Sequence, residues 1–458
     1  MSAAAPAGID AAWALRGPER QLLLFILLAV ALGFLMMLGS GRAAGRALGP
    51  ADLLPFLTYG ASLAALHGLW VLARFRGDQV LPAAVALLAG LGLLAQYRMG
   101  LLTGPEASLA ARFALPVGIL LMGAVAFLGE QGRYRHLAAG PWAWAGLSLA
   151  LVAVLLITGQ RFRGGVYAAG LVTPTELLKV TAVLFLAGFI DLHAKALKAF
   201  GSGLPIPPWR ALLPLAGLWA SLTALLLVQR DLGMLIILSS ALIAMLALGT
   251  GRAAYLVYGA AASAGLGYLL LQLFAHGQSR LSAWLEPFAD PTGGSWQILQ
   301  GLSGMFAGGL WGEGFGRGNP EYTPIAQSDF IYAVLGEELG FLGTLVVVVL
   351  FLILILRGLE IAYRSRSSFG ALLAAGLTAV IAVQTFLNIG GVTKSIPLTG
   401  VTLPFVSHGG SSLLTAFVSV GLLLAISAGE PAKARAAGRP APGAPRSGKR
   451  RGRSGTGP

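Results

Sequence analysis

The chain has 458 residues, of which 56% are hydrophobic and only 11% are charged, against roughly 25% charged in a soluble globular domain. This composition excludes a soluble enzyme, and the absence of cysteine excludes disulfides and thiol catalysis. The net charge of +14 comes mainly from residues 429–458, a Pro-, Gly- and Arg-rich tail that we expect to be disordered, cytoplasmic and attracted to anionic membrane lipids, with no nucleic-acid partner.

Twelve apolar segments are long enough to cross a hydrocarbon core of about 30 Å as helices. Residues 1–19 form a leader without a small-residue cleavage pattern, so the first helix is expected to be retained. The prediction is an all-α, polytopic bundle of about twelve transmembrane helices. They are predicted at 20–40, 51–73, 79–97, 109–129, 141–159, 174–192, 209–228, 231–250, 253–274, 329–356, 369–391 and 404–428.

The distribution of Lys and Arg predicts that both termini are cytoplasmic. One set of alternate loops, with the leader and tail, carries 21 of the 32 basic residues, and the opposite loops carry 10. Because cytoplasmic loops are enriched in Lys and Arg, the long loop 276–327 is assigned to the outer face. Arg161, Arg163, Arg230 and Lys394 share that face, which suggests that some of them serve an anionic ligand.

Two charged pairs lie near outer helix ends. In PTELLK, Glu176 and Lys179 are three residues apart on one helical face. They either neutralise each other in the membrane or line a cavity that handles phosphate. In VQRDLGM, Arg230 and Asp231 either face a wet pocket or simply cap a helix junction, since an acidic residue suits a helix N-terminus.

Residues 276–327 are polar, aromatic and glycine-rich, and apolar spans flank them on both sides. Such an excursion can hold water, charge and a polar substrate, so we expect the chemistry there. Asp290 is its candidate catalytic carboxylate, although Asp290–Pro291 is also a common way to open a turn.

The last two spans contain further polar features. GEELG puts Glu337 and Glu338 in the tenth span, and at least one should face the bundle interior because lipid exposure of a carboxylate is expensive. Glycines and prolines then interrupt NIGGVTKSIPLTGVTLPFVSHGGSS, which is tolerated at membrane depth only where backbone is buried in protein or lines a wet cavity. Lys394 and Ser407 supply donors there, whereas Gly409 and Gly410 also fit close helix packing.

In order and spacing, five segments resemble the SEDS family (shape, elongation, division and sporulation), which includes RodA and FtsW. They are PTELLK, QRDLG, RLSAWLEPFADPTGGSWQILQ, SDFIYAVLGEELGFLG and NIGGVTKSIPLTGVTLPFVSHGGSS. The resemblance covers residues 160–428, taken as the catalytic membrane core. The family has ten spans, three of them before the PTELLK-like helix. Five precede it here, which implies that the N-terminal helices of residues 20–159 include an extra pair.

The resemblance implies a peptidoglycan glycosyltransferase that polymerises lipid II into glycan strands at the outer face of the bacterial cytoplasmic membrane, for cell elongation or division. The family's essential aspartate corresponds to Asp290, which we expect to act as general base on the acceptor hydroxyl. Cations should offset charge on the departing diphosphate. The substrate-binding candidates are Arg163, Glu176, Lys179, Arg230, Asp231, Arg280, Lys394 and Ser407.

The sequence departs from the family in three segments. Ile325 replaces a carboxylate of the family and leaves Asp329, QRDLG replaces the commoner Q-P-D-L-G, and FRGGVYAAG departs from the pattern around Arg163. No cofactor is firmly implied, although a divalent cation, Mg²⁺ or Mn²⁺, could share the stabilisation of the diphosphate.

The implied partners are a class B penicillin-binding transpeptidase and other proteins of the elongation or division complexes. A lipid II flippase is the main alternative, because it would use the same polar cavity without forming a bond. A small-molecule transporter would be expected to show repeat-related halves, and no clear repeat is found. A scaffold for other wall enzymes would tolerate loss of Asp290. The motifs do not separate elongation, division and sporulation.

Overall fold

The computed structural model describes residues 13–103, 107–162, 165–167, 173–200, 207–273 and 275–429. Arg163 and the tail 430–458 lie outside these residues. Within them, twelve long helices account for the twelve predicted spans. Eleven of these helices have the length and composition to cross a membrane. The twelfth, α9, has a shorter apolar stretch, Ala254–Leu270. They are α1 (Gly17–Ala43), α2 (Pro50–Leu72), α3 (Val80–Arg98), α4 (Leu109–Gly129), α5 (Pro141–Thr158), α6 (Pro174–Lys198), α7 (Trp209–Gln229), α8 (Leu232–Thr250), α9 (Ala254–Leu273), α12 (Ile331–Arg364), α13 (Ser368–Val392) and α14 (Gly410–Ala428).

The predicted all-α membrane bundle is therefore confirmed, with one small exception among the described residues. A two-stranded antiparallel hairpin, β1 (Gln160–Phe162) and β2 (Gly165–Tyr167), precedes α6. Helices α3, α6, α13 and α14 form the centre, since 72–83% of their most apolar windows is buried inside the protein. The outward faces of the peripheral helices carry exposed apolar side chains such as Phe25 and Leu28 on α1, as expected for surfaces that contact lipid.

The first two helices are attached to the rest of the bundle by packing and to each other by buried charge. Helix α1 packs mainly on α3, and α2 packs on α4. At the beginning of α1, Arg16 pairs with Glu19, and the Nδ1 atom of His67 on α2 lies 3.0 Å from the second Glu19 oxygen. Arg16 also donates to the Phe75 carbonyl at 2.7 Å. Both charged groups of this pair are almost fully buried, so each depends on the other for stabilisation.

The long loop folds onto one end of the bundle, where Ser40 at the end of α1 donates to the Gly316 carbonyl at 3.0 Å, and we call this end the loop end. It contains α10 (Ala275–Leu285), α11 (Trp296–Gly308) and a 3-10 turn (Pro320–Tyr322). Helix α11 packs closely on α12, because a Cβ atom on Gly301 would lie 2.6 Å from the Phe330 ring and one on Gly308 would lie 2.1 Å from the Gly336 carbonyl oxygen. The loop is therefore an ordered cover over part of the bundle.

Helix α12 is broken at Gly340, where φ is +69°. The loop compensates for the break, since the backbone N–H groups of Glu313 and Gly314 donate to the carbonyls of Glu337 and Glu338 at 2.9 and 3.0 Å. The Glu337 carboxylate also accepts a hydrogen bond from the Asn319 N–H at 2.7 Å. Glu337 and Glu338 are both buried, which confirms that at least one of this pair faces the protein interior.

Candidate functional site

The site is built around residues 393–409, an irregular stretch between α13 and α14 that we call the unwound segment. Its backbone is held by side chains from neighbouring elements. Asn388 Nδ2 donates to the carbonyls of Asp329 and Val401 at 2.8 and 2.7 Å. Ser407 Oγ donates to the Ser328 carbonyl at 2.6 Å and accepts from the Leu403 N–H at 2.8 Å. Of the two settings predicted for this interrupted backbone, burial in protein and the lining of a wet cavity, these bonds show the first.

The ion pair predicted on α6 is formed and is joined to the unwound segment. Lys179 Nζ lies 2.6 Å from Glu176 Oε2 and donates to Gln384 Oε1 on α13 at 2.9 Å. Gln384 Nε2 in turn donates to the Thr402 carbonyl at 2.9 Å. The Lys179 side chain is 6% exposed and that of Glu176 is 19% exposed, so the pair borders water only through the carboxylate.

Three more charged side chains approach the same segment. Asp231 caps α8 by accepting the Met234 N–H at 2.8 Å, and its carboxylate interacts electrostatically with Glu176, Lys179 and Arg280. Burial raises the pKa of Asp231, and the positive charges of Lys179 and Arg280 oppose this shift. The capping role of Asp231 and its proximity to other charges are thus both present.

Arg280 on α10 interacts electrostatically with both Asp231 and Asp329. Burial raises the pKa of Asp329, and the charge of Arg280 lowers it. Gly400, at φ +75°, provides the space for this convergence, since an added Cβ would lie 3.3 Å from Arg280 Nη2 and 3.5 Å from Asp329 Oδ2. Glu176, Lys179, Asp231, Arg280 and Asp329 are called the polar cluster below.

Helix α10 is bonded to the unwound segment at two points. Arg280 Nη1 donates to the Leu398 carbonyl at 3.1 Å, and Trp284 Nε1 donates to the Lys394 carbonyl at 3.0 Å. Beside α10 is a mostly apolar groove of about 280 Å³ between α8 and α9, which Arg280 and residues 397–399 also line. Arg280 therefore belongs to the polar cluster and to the wall of the apolar groove.

Asp290 lies in the exposed turn between α10 and α11. Its Oδ2 atom accepts the Gly294 N–H at 2.7 Å, and its carbonyl accepts the Ser295 N–H at 3.3 Å. Among the described residues, Asp290 forms no hydrogen bond or ion pair with the polar cluster. The structure thus contains the turn that the Asp-Pro pattern suggested, and the catalytic role of Asp290 stays a prediction.

The other residues predicted for the site lie in different surroundings. Arg230 is exposed at the end of α7, in a left-handed conformation with φ +64°. Lys394 is half-buried, also left-handed, and has no ion-pair partner among the described residues. Ser407 is buried and its hydroxyl holds the unwound segment together. Arg163 cannot be placed, because it lies outside the described residues.

Sequence reasoning missed Gln384 and Asn388, the two amides that hold the unwound segment from α13. A signal was present, because polar residues four apart in an otherwise apolar helix lie on one face and require partners inside the protein. Within the described residues, no three His, Asp or Glu side chains are grouped as ligands of one metal ion.

Comparisons with known proteins agree on one family. A profile of the cell cycle protein family of FtsW, RodA and SpoVE matches residues 80–431, a range that contains α3–α9 and α12–α14 and begins after α1 and α2. The peptidoglycan glycosyltransferase RodA of Mycobacterium bovis (strain ATCC BAA-935 / AF2122/97) is 34% identical over 395 residues, which are 81% of this chain and 83% of that protein.

Solved structures show the same likeness. A chain from a peptidoglycan synthase complex, studied for its coordination of polymerization and crosslinking, is 25% identical with a TM-score of 0.60 and covers 77% of this chain and 97% of its own. The crystal structure of the rod shape determining protein RodA of Thermus thermophilus gives a TM-score of 0.55 at 25% identity, over 77% of this chain and 96% of that one.

Proposed function

Because the chain belongs to the cell cycle protein family of FtsW, RodA and SpoVE, we infer that it is a peptidoglycan glycosyltransferase. It is a multi-pass membrane protein. We propose that it polymerises lipid II in the bacterial cytoplasmic membrane, with the loop end facing outward. The excess of Lys and Arg in the loops of the opposite end supports this orientation.

One observation carries the assignment of the site: Arg280 joins the polar cluster to an apolar groove. A lipid-linked diphosphate sugar needs an apolar path for its isoprenoid chain and a polar, wet place for its diphosphate and sugars. We propose that the chain lies in the groove between α8 and α9, and that Arg280 contacts the diphosphate. Lys179 is the other cation of the cluster; it is buried and would add to the same field.

In the proposed reaction, an acceptor sugar hydroxyl attacks the anomeric carbon of the donor sugar. The new glycosidic bond forms as the bond from that carbon to the diphosphate oxygen breaks, and undecaprenyl diphosphate leaves. The hydroxyl proton passes to a carboxylate. Lys179 and Arg280, with Arg230 and Lys394 at the same end, would offset the charge that develops on the leaving diphosphate. Mg²⁺ or Mn²⁺ carried by the diphosphate itself would serve the same purpose.

We retain Asp290 as the proposed base. Its carboxylate is exposed, and Oδ2 is its only hydrogen-bonded oxygen among the described residues, so Oδ1 is available to a hydroxyl. The turn that carries it follows α10 directly, and α10 is bonded to the unwound segment. Asp290 therefore lies in the turn directly after the helix that carries Arg280, the proposed contact of the diphosphate.

The test is polymerisation of lipid II by the purified full-length protein. In Asp290→Asn the amide oxygen can still accept the Gly294 N–H, but it cannot take a proton. We expect that variant to lose at least about a hundredfold in rate, while Glu286→Gln, a control for an exposed carboxylate in the same loop, stays within about twofold. Full activity of a folded Asp290→Asn variant would remove the proposed base.

The same preparation separates the transferase from a flippase. In proteoliposomes, a flippase would move labelled lipid II across the bilayer without forming glycan, whereas the proposed enzyme forms glycan from lipid II supplied on the loop side. Transport without any polymer would overturn the assignment.

We also propose that a class B penicillin-binding transpeptidase binds the helical bundle, together with other elongation or division proteins. The similarity to a chain from a peptidoglycan synthase complex supports this partner class. Co-purification of full-length protein with a candidate transpeptidase from the same membrane tests it. Failure of every class B transpeptidase of the organism to co-purify would contradict it.

A further inference from the structure

A second cavity lies at the end of the bundle opposite the loop end. It has a volume of about 570 Å³ and is enclosed by the beginning of α1, the connection 76–79, the turn after α4, the end of α12 and the end of α14. This volume falls in the range of about 300–1,000 Å³ that is typical of ligand sites. None of its lining residues belongs to the polar cluster or to the apolar groove.

The lining is strongly cationic. Two carboxylates, Asp78 and Glu360, face five arginines, which leaves a net charge of +3 from side chains. The arginines are Arg76, Arg135, Arg357, Arg364 and Arg366.

The two carboxylates are already engaged. Arg357 pairs with Asp78 and with Glu360, and Arg364 pairs with the second Glu360 oxygen at 2.7 Å. Among the described residues, the exposed Arg76 and Arg366 have no ion-pair partner. The internal pairs thus leave a surplus of positive charge inside one cavity.

The enrichment of Lys and Arg in cytoplasmic loops accounts for arginines at this end of the bundle. It does not require several of them to line one cavity. Arg76, Arg135 and Arg357 come from three separate elements of the chain, and like charges brought together repel unless an anion lies between them. Arg357 Nε is also buried without a hydrogen-bond partner. Guanidinium groups present planar forks that match phosphate oxygens.

We propose that this cavity binds a phosphate-bearing anion at the end of the protein that the charge distribution predicts to be cytoplasmic. The phosphate can come from the headgroup of an anionic phospholipid or from a soluble diphosphate compound. Arg76 and Arg366 are its main contacts, because Arg357 and Arg364 are held by Asp78 and Glu360. The site is independent of the glycosyltransferase assignment.

The test measures binding to the full-length protein in neutral detergent, with short-chain phosphatidylglycerol and inorganic pyrophosphate as two separate probes and phosphatidylcholine as the neutral lipid. We expect one of the two anions to bind, and the one that binds identifies the source of the phosphate. Arg76→Gln and Arg366→Gln should each weaken that binding about tenfold. Both side chains are exposed and have no ion-pair partner in the part of the chain that the structure describes, so these variants should fold.

Arg210→Gln is the matched control, because Arg210 is an exposed arginine at the same end that lies outside the cavity. It should bind as the wild type does. The tail contributes eight basic residues to every variant equally, so it cancels in the comparison. If neither anion binds, or if Arg76→Gln and Arg366→Gln bind within twofold of Arg210→Gln, the proposed site is wrong.

Discussion

The pair formed by Lys179 and Glu176 allows a structural role to be separated from a role in catalysis. In Lys179→Met, Glu176 loses its partner at 2.6 Å and Gln384 loses the donor to its Oε1 atom. Removing one member of a buried pair costs about 3–5 kcal/mol. Because the Glu176 side chain is 19% exposed and can still reach water, we expect the low end, about 3 kcal/mol of unfolding free energy.

The double variant Glu176→Gln, Lys179→Met removes both charges. Position 176 then no longer carries a charge that needs Lys179, so most of the lost thermal stability in detergent should return. Polymerisation of lipid II should remain reduced about a hundredfold, since the cation proposed to act on the diphosphate is still missing. Glu176→Gln alone keeps Lys179 and its bond to Gln384, and it should retain most of the activity.

These variants are compared by thermal unfolding and by initial polymerisation rates of the same preparations. If the double variant regains both stability and wild-type activity, the pair merely neutralises two charges in the membrane, and Lys179 has no part in handling phosphate.

Three further predictions concern the unwound segment and Asp329, whose carboxylate lies close to Gly400. Ser407→Ala removes one donor and one acceptor inside the protein and should lower the unfolding free energy by about 1–3 kcal/mol, seen as a lower thermal midpoint. Gly400→Ala places a Cβ at φ +75° beside Arg280 and should lower the unfolding free energy by about 1–2 kcal/mol. Gly409→Ala, in extended backbone, is the control and should be tolerated. Equal thermal midpoints for these two variants would contradict the prediction. Burial raises the pKa of Asp329 above 3.8, so the folded state binds that proton more tightly and stability falls as the pH rises through the raised value. Asp329→Asn should therefore flatten the pH dependence of the thermal midpoint above about pH 3.8.

The sequence was sufficient for features that depend on composition and on local spacing. The twelve spans followed from apolar length, and the Glu176–Lys179 pair followed from a separation of three residues on one helix. The break in α12 did not, because the span was predicted as one helix from 329 to 356. The helix can break at Gly340 because loop residues about 25 positions earlier donate backbone hydrogen bonds to the Glu337 and Glu338 carbonyls.

The two helices inside the long loop were also beyond sequence reasoning. Helix α10 has only 11 residues, and a helix of that length is marginal in water without tertiary contacts. Its contacts to the Leu398 and Lys394 carbonyls come from residues more than a hundred positions away in the chain. Gln384 did stand out as an amide in an apolar helix, but its partner Lys179 lies 205 positions away in the chain and could not be identified from the sequence.

The same two bonds connect the proposed diphosphate contact to the proposed base. Arg280 uses its Nη1 atom on the Leu398 carbonyl and has other N–H groups for a diphosphate, while Trp284 holds α10 on the unwound segment through the Lys394 carbonyl. The Asp290 turn follows α10 directly, so its position during catalysis depends on these bonds. Trp284→Phe keeps the apolar ring but removes the N–H, and we expect slower lipid II polymerisation with little change in the thermal midpoint. Unchanged rates in Trp284→Phe would show that the bond between α10 and Lys394 does not position the base.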